Sequence, residues 1–229
     1  MLDEVLYPNV PTANWQMLGS ERMALTGLLA RIRPRNALEI GVYYGGSLSL
    51  IAQFCERVWA LDIDPEVPGR FPMPPNVDLR IGEAESLLPY MLHELDAAAV
   101  SLNFVLIDAD HSAAGVRRDI ETVIQRPVPP REPMFVVMHD SGNPECRRGI
   151  SSASWASCPY VHHVELDFVP GQIIEHAIRD GRSEVWGGLA LAYLRPEPRI
   201  ADLVIGAGSA TTIAAIQRCA GDLGILQQS

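Results

Sequence analysis

Ala37-Leu38-Glu39-Ile40-Gly41-Val42-Tyr43-Tyr44-Gly45-Gly46-Ser47 is the stretch on which the fold turns. It starts as a short apolar run, breaks at glycines and passes into a helical pattern, which predicts a buried strand, a tight turn and a helix. An acidic pair, Asp62 and Asp64, closes the next apolar run about 20 residues further on. Such a unit builds a nucleoside pocket, because glycine admits backbone close to a ligand and a carboxylate ending the second strand can accept both ribose hydroxyls. The turn also narrows the ligand. Dinucleotide sites use G-x-G-x-x-G, with small residues where the pyrophosphate crosses, whereas Val42, Tyr43 and Tyr44 stand here. A nucleoside with a short zwitterionic tail fits better, its tail over Gly41 and Gly45-Gly46 and its carboxylate at the free amides that open the next helix.

Outward from this unit, short apolar runs recur at Ala37–Gly41, Val58–Asp62, Val77–Ile81, Phe104–Ile107 and Phe135–Met138. Helical patterns at Ser47–Glu56, Glu85–Leu95 and Ala113–Gln125 separate them, and this alternation predicts a doubly wound, mostly parallel α/β sheet. Two longer runs, Val161–Phe168 and Val185–Leu194, predict an antiparallel pair finishing one edge, which makes seven strands in all. Ahead of the sheet, Met23, Leu25, Leu28, Leu29 and Ile32 give an amphipathic helix that Ser20 would cap and Pro34 would end. The chain of 229 residues is read as one domain: an N-terminal helical segment over 1–34, a core sheet over 35–195 and a helical tail over 196–229. The proline-dense segments Pro65–Asn76 and Arg126–Pro133 are stiff connectors within it. Val204-Ile205-Gly206-Ala207-Gly208-Ser209-Ala210 imitates a dinucleotide turn, but too little chain follows for a second strand, so it is read as a loop opening the last helix.

A net charge of -10 argues against a nucleic-acid partner, and the basic pairs Arg117-Arg118 and Arg147-Arg148 read as solvated surface. Cys55, Cys146, Cys158 and Cys219 lack C-x-x-C spacing and read as reduced thiols. No apolar run reaches the ~20 residues of a membrane span and the N-terminus is acidic, so the expected location is cytoplasmic, with no membrane partner. Homo-oligomerisation stays open.

Ligands of an open parallel sheet bind beyond the carboxyl ends of its strands, and those ends are polar here. They carry Glu39, then Asp62 and Asp64, then Glu83, then Asp108-Ala109-Asp110-His111, then His139-Asp140-Ser141. If the fourth and fifth strands are neighbours at ~4.8 Å, Asp108 and Asp140 can converge on a hard cation of the Mg²⁺ type, with Ser141, Asp110 or water completing the shell. Either His111 or His139 could instead be a general base near neutral pH. Simpler roles compete: Asp64 as the start of the Pro65 turn, Glu83 as a helix-initiating acid, Asp108 and Asp140 as caps. His162-His163 and His176 read as surface.

Leu38-Glu39-Ile40-Gly41, Gly45-Gly46-Ser47, Ile107-Asp108-Ala109-Asp110-His111-Ser112 and His139-Asp140-Ser141 occur in that order, and together they resemble the class I S-adenosylmethionine-dependent methyltransferases. The similarity is to small-molecule O-methyltransferases with I-D-x-D-H-S and H-D-[ST] motifs, and it spans roughly Trp15 to Leu194. The resemblance implies a Rossmann-like methyltransferase fold and methyl transfer to a hydroxyl of a small molecule, a sugar or phenolic natural product. It implies Glu39, Gly41, Gly45, Gly46 and Ser47 near the methionine end, Asp62 on the ribose and Glu83 or Ala84 beside the adenine. Asp108 would serve cofactor, metal and catalysis, with Asp140 and Ser141 as further metal ligands and His111 or His139 as the base. Catechol-type relatives carry Asp-Asn after the fifth strand where this chain has Asp140-Ser141, which leaves metal dependence open. Gly142–Pro159, with Trp155 and Tyr160, is the expected acceptor wall or lid. Two rival readings are an NAD(P)-dependent oxidoreductase and a non-catalytic cofactor-binding partner subunit.

Overall fold

The computed structural model describes residues 15–175 and 183–208. In chain order these form α1 (Gly19–Ile32), β1 (Asn36–Ile40), α2 (Gly46–Phe54), β2 (Arg57–Asp62), the short α3 (Val67–Arg70), β3 (Val77–Ile81), α4 (Ala84–Ala97) and β4 (Phe104–Ile107). There follow α5 (Ala113–Ile124), β5 (Met134–His139), α6 (Pro144–Ser152), β6 (Val161–Val169), β7 (Gln172–Glu175), β8 (Ser183–Trp186), β9 (Leu189–Leu194) and β10 (Val204–Gly206). The main sheet has eight strands in the order β10-β6-β9-β5-β4-β1-β2-β3. Only β9 runs against its neighbours; the other pairings are parallel.

Strand residues alternate between two buried layers, which is why these runs are apolar almost throughout. In β1, Leu38 and Ile40 join one core with Leu88, Met91 and Leu95 of α4 and Ile120 and Val123 of α5. Ala37 faces the other, with Leu25 and Leu29 of α1 and Leu48 and Ile51 of α2. Helices thus cover both faces. The strand order reverses between β1 and β4, and a crevice opens beyond their carboxyl ends at that switch point.

Four expectations need correction. Among the described residues the sheet has eight strands, not seven, because Val204–Gly206 is a strand paired with β6 and not loop; residues 209–229, with the expected last helix and Cys219, lie outside the described residues, as does His176. The C-terminal antiparallel pair does not simply finish the edge: β9 is inserted between β5 and β6, and β10 is the edge strand. The run Val185–Leu194 is split, since Gly187 and Gly188 adopt φ +71° and +86° and turn the chain out of a separate β7–β8 ribbon into β9. Ser20 does not cap α1, which begins one residue earlier; there the Leu18 N–H donates to Glu21 Oε2 at 2.5 Å, an acid from within the first turn.

Candidate functional site

A cleft of about 940 Å³ lies over the switch point. The β1–α2 turn forms its floor, and geometry explains the glycines there. A Cβ on Gly41, at φ +89°, would stand 2.2 Å from the Asp108 carbonyl oxygen; one on Gly45, at φ +74°, would strike the Phe71 ring at 2.3 Å. Gly41 therefore lets β1 and β4 close up at their ends, while Gly45 lets α2 start beneath the Pro-rich β2–β3 connection.

Most acids on this side are engaged by their own scaffold. Asp62 Oδ2 accepts the Val42 and Tyr43 N–H groups at 2.7 and 2.9 Å, and Oδ1 accepts that of Asp64 at 2.8 Å. It lines the cleft, yet its first task is to hold the turn, whose Tyr43 sits at φ +53°. Asp64 accepts from the Glu66 N–H, at 2.9 Å, and pairs with Arg70, interactions that hold its carboxyl below the usual range despite some burial. Arg70 in turn lies 5.4 Å from the ring centres of both Tyr43 and Tyr44. Glu39 is fully buried behind the cleft wall, where Ser47 donates to Oε1, and Oε2 has no partner among the described residues. Burial drives its pKa well above the ordinary carboxylate value. Ser47, Gly46, Glu83 and Ala84 line the cleft; Glu39 and Gly45 do not. Ile63, 67% exposed at the cleft, is an apolar surface the sequence reading passed over.

The β4–β5 side is built differently. The ligating atoms of Asp108, His139 and Asp140 all lie within 4.8 Å of one another. His139 Nδ1 is 2.9 Å from Asp108 Oδ1 and 3.4 Å from Asp140 Oδ2, and Nε2 is 3.3 Å from Glu21 Oε2. Burial opposes charge on this ring, but the surrounding Asp108, Glu21 and Asp140 carboxylates outweigh it and hold the pKa well above 6.5. Asp140 sits at φ +54°, a conformation Asp tolerates better than most residues, and Oδ1 accepts the Gly187 N–H at 2.7 Å. Burial works against its ionisation, yet His111 and His139 keep its pKa below the usual range. His111 is the accessible ring, 45% exposed, with Nε2 at 3.0 Å from Asp140 Oδ2; that contact raises its pKa in spite of partial burial.

Ser141 is not brought to this cluster: it does not line the cleft, and its buried hydroxyl lies beneath Gly188 without a hydrogen-bond partner among the described residues. The backbone turns back at Asp140 and carries the next side chain away, so His139, and not Ser141, converges with Asp108 and Asp140. Asp110 is also drawn off, accepting from the Ser112 N–H at 2.7 Å. The expected wall over Gly142–Pro159 is also misplaced. Trp155 is buried, donating from Nε1 to the Ile150 carbonyl at 2.7 Å, and the cleft is walled by Trp186 and by Trp15, Gln16, Met17 and Leu18. Trp186 meets His111 edge-on at 5.6 Å between ring centres. Glu21 was missed because an acid in a helix's first turn reads as an ordinary capping residue.

Residues 38–141 match the family model described as a methyltransferase domain. No curated protein matches the sequence. Among solved structures, an O-methyltransferase from Bacillus cereus in complex with SAH is 18% identical with a TM-score of 0.52, over 85% of this chain and 90% of that one. The O-methyltransferase TomG from Streptomyces achromogenes, involved in tomaymycin synthesis and in complex with SAM, is 18% identical with a TM-score of 0.53, over 78% and 81%. At that identity the likeness carries the fold. The methyltransferase-domain match is thus confined to residues 38–141, and the strand order with its cleft at the switch point is the Rossmann-like fold shared with those structures.

Proposed function

We propose that the protein methylates a hydroxyl of a small molecule, a sugar or phenolic group of a natural product, with a divalent cation held by Asp108, His139 and Asp140. The convergence of those three side chains at the cleft, within 4.8 Å, carries this reading. The donor set fits a cation: two carboxylates suit Mg²⁺, and the imidazole extends the range to Mn²⁺ and other first-row ions. Gly46 and Ser47 would take the methionine end of the cofactor, with Glu39 behind them compensating a cationic group, while Ile63, Glu83 and Ala84 would flank the base.

S-adenosylmethionine, when bound, supplies an electrophilic methyl group for in-line attack by the acceptor oxygen, the C–S electron pair passing to sulfur. Asp108 and Asp140 would hold the cation, whose charge would stabilise an oxyanion there. His139 is a poor base, since both of its nitrogens already face carboxylates. His111, accessible and braced by Asp140, is placed to take the hydroxyl proton. That 3.0 Å contact also favours a second reading, in which His111 and Asp140 act without a metal.

Methyl transfer from S-adenosylmethionine to a panel of phenols and sugars, before and after EDTA treatment, tests the proposal. Activity abolished by EDTA and restored by Mg²⁺ or Mn²⁺ supports the cation. Activity that resists EDTA but is lost in His111→Ala supports the second reading. Calorimetry showing no binding of S-adenosylmethionine or S-adenosylhomocysteine to folded protein would overturn both.

A further inference from the structure

We infer that Glu21 is the positioning residue of the cation site, fixing the His139 ring so that Nδ1 faces the gap between Asp108 and Asp140; this rests on the metal-assisted reading above. Glu21 enters from α1, far from β5 in sequence, yet its fully buried carboxylate reaches Nε2 at 3.3 Å. A neutral imidazole carries one ring proton, and a carboxylate can only accept. With a cation on Nδ1 that proton would sit on Nε2, where Glu21 would accept it; in the ion-free ring Nδ1 faces Asp108 and Asp140, 2.9 and 3.4 Å away. Carboxylate–histidine pairs orient metal-binding rings in this way.

The carboxylate is itself fixed. Oε2 accepts the Leu18 N–H, and Oε1 accepts the Gly188 N–H. A Cβ on Gly187 would stand 2.5 Å from Oε1, so the glycine corner between β8 and β9 has to lack a side chain for Glu21 to arrive. Asp140 holds the same corner from the other side through the Gly187 N–H. Cation ligand and positioning residue thus share one backbone anchor, and the order of α1 is tied to the geometry of the cluster.

A purely structural Glu21, acting as cap and anchor, makes a different forecast, and a double-mutant cycle separates the two. Mn²⁺ binding is measured by calorimetry in wild type, Glu21→Ala, His139→Asn and the double variant, with S-adenosylhomocysteine binding as the check on folding. Asn keeps a ligand atom near the Nδ1 position and has nothing at Nε2 for Glu21 to hold. Glu21→Ala should weaken Mn²⁺ about 10–100-fold in wild type and less than about threefold on the His139→Asn background. An equal loss on both backgrounds, or none on either, overturns the inference and leaves the cation reading intact. Wild-type protein that binds S-adenosylhomocysteine but not Mn²⁺ removes the cation reading and the inference with it. If Glu21→Ala does not fold, Glu21→Leu, which fills much of the same space and cannot accept from Nε2, replaces it in the same cycle.

Discussion

The two sides of the cleft use acids in opposite ways. Beyond β1 and β2, Asp62, Asp64 and Glu39 are taken up by neighbours: backbone amides, Arg70 and Ser47. Beyond β4 and β5, Asp108 and Asp140 face imidazole rings, and a third carboxylate arrives from α1. The first side is a scaffold that holds a turn; the second concentrates opposed charges at one point, which is what the proposed chemistry on a hydroxyl requires. A carboxylate at a strand end therefore carries no fixed meaning until its partners are known.

The sharpest separation of the two sides comes from Asp140→Asn, which keeps a side chain tolerant of the positive φ but removes the charge. Turnover should fall about 100–1000-fold while S-adenosylhomocysteine affinity stays within about threefold. An equal loss of affinity, by calorimetry, would mean that the sides are not independent. Asp62→Ala addresses the scaffold side by orphaning three backbone N–H groups. Stability in urea should drop by about 2–4 kcal/mol along with cofactor affinity. Weakened binding at unchanged stability would make Asp62 a ligand group and not a turn-holder.

A smaller effect of opposite sign is expected at Glu39. A carboxyl whose folded pKa lies above its unfolded value of 4.5 holds its proton natively where the unfolded chain releases it, so folding weakens as pH rises past that value. Glu39→Gln should accordingly raise the stability of the ligand-free protein by about 1–2 kcal/mol at pH 8 and leave it unchanged at pH 4. Thermal melts that coincide at both pH values would show that the buried acid is not destabilising. On the other side, His139 has its folded pKa raised above 6.5, so its ionic contribution is complete below that pH and fades as pH rises through the higher folded value. The stability gap between wild type and His139→Asn should shrink by about 1 kcal/mol from pH 6 to the alkaline range. A gap that widens instead would mean the ring is held neutral, and the contrast between the sides would need redrawing.

The β1–α2 unit was legible because every signal in it is local: an apolar run, glycines at fixed offsets, an acid closing the next strand. The convergence of Asp108 and Asp140 could be anticipated because both sit at the same height on strands that proved to be neighbours. Ser141 is not at the cluster because the left-handed turn at Asp140 redirects the chain, and a positive φ at Asp leaves little trace in sequence. Gly142–Pro159 does not line the cleft, because α6 carries Ile150 and the turn after it carries Ala153 and Trp155 into the core. The strand at Val204–Gly206 was hidden by its shortness and by glycines that imitate a ligand turn.

Sequence by itself determined the doubly wound sheet, the strand–glycine turn–helix unit and the line of polar strand ends, since each depends on periodicity or on residues close in the chain. Tertiary structure alone decided which acids are scaffold and which are free to act, and it alone brought Glu21, Trp186 and the Gly187-Gly188 corner to His139 and His111. The Glu21–His139 contact joins residues 118 apart in the chain, and at such separations the partner of a side chain is set by how helices and strands pack, not by the pattern around it.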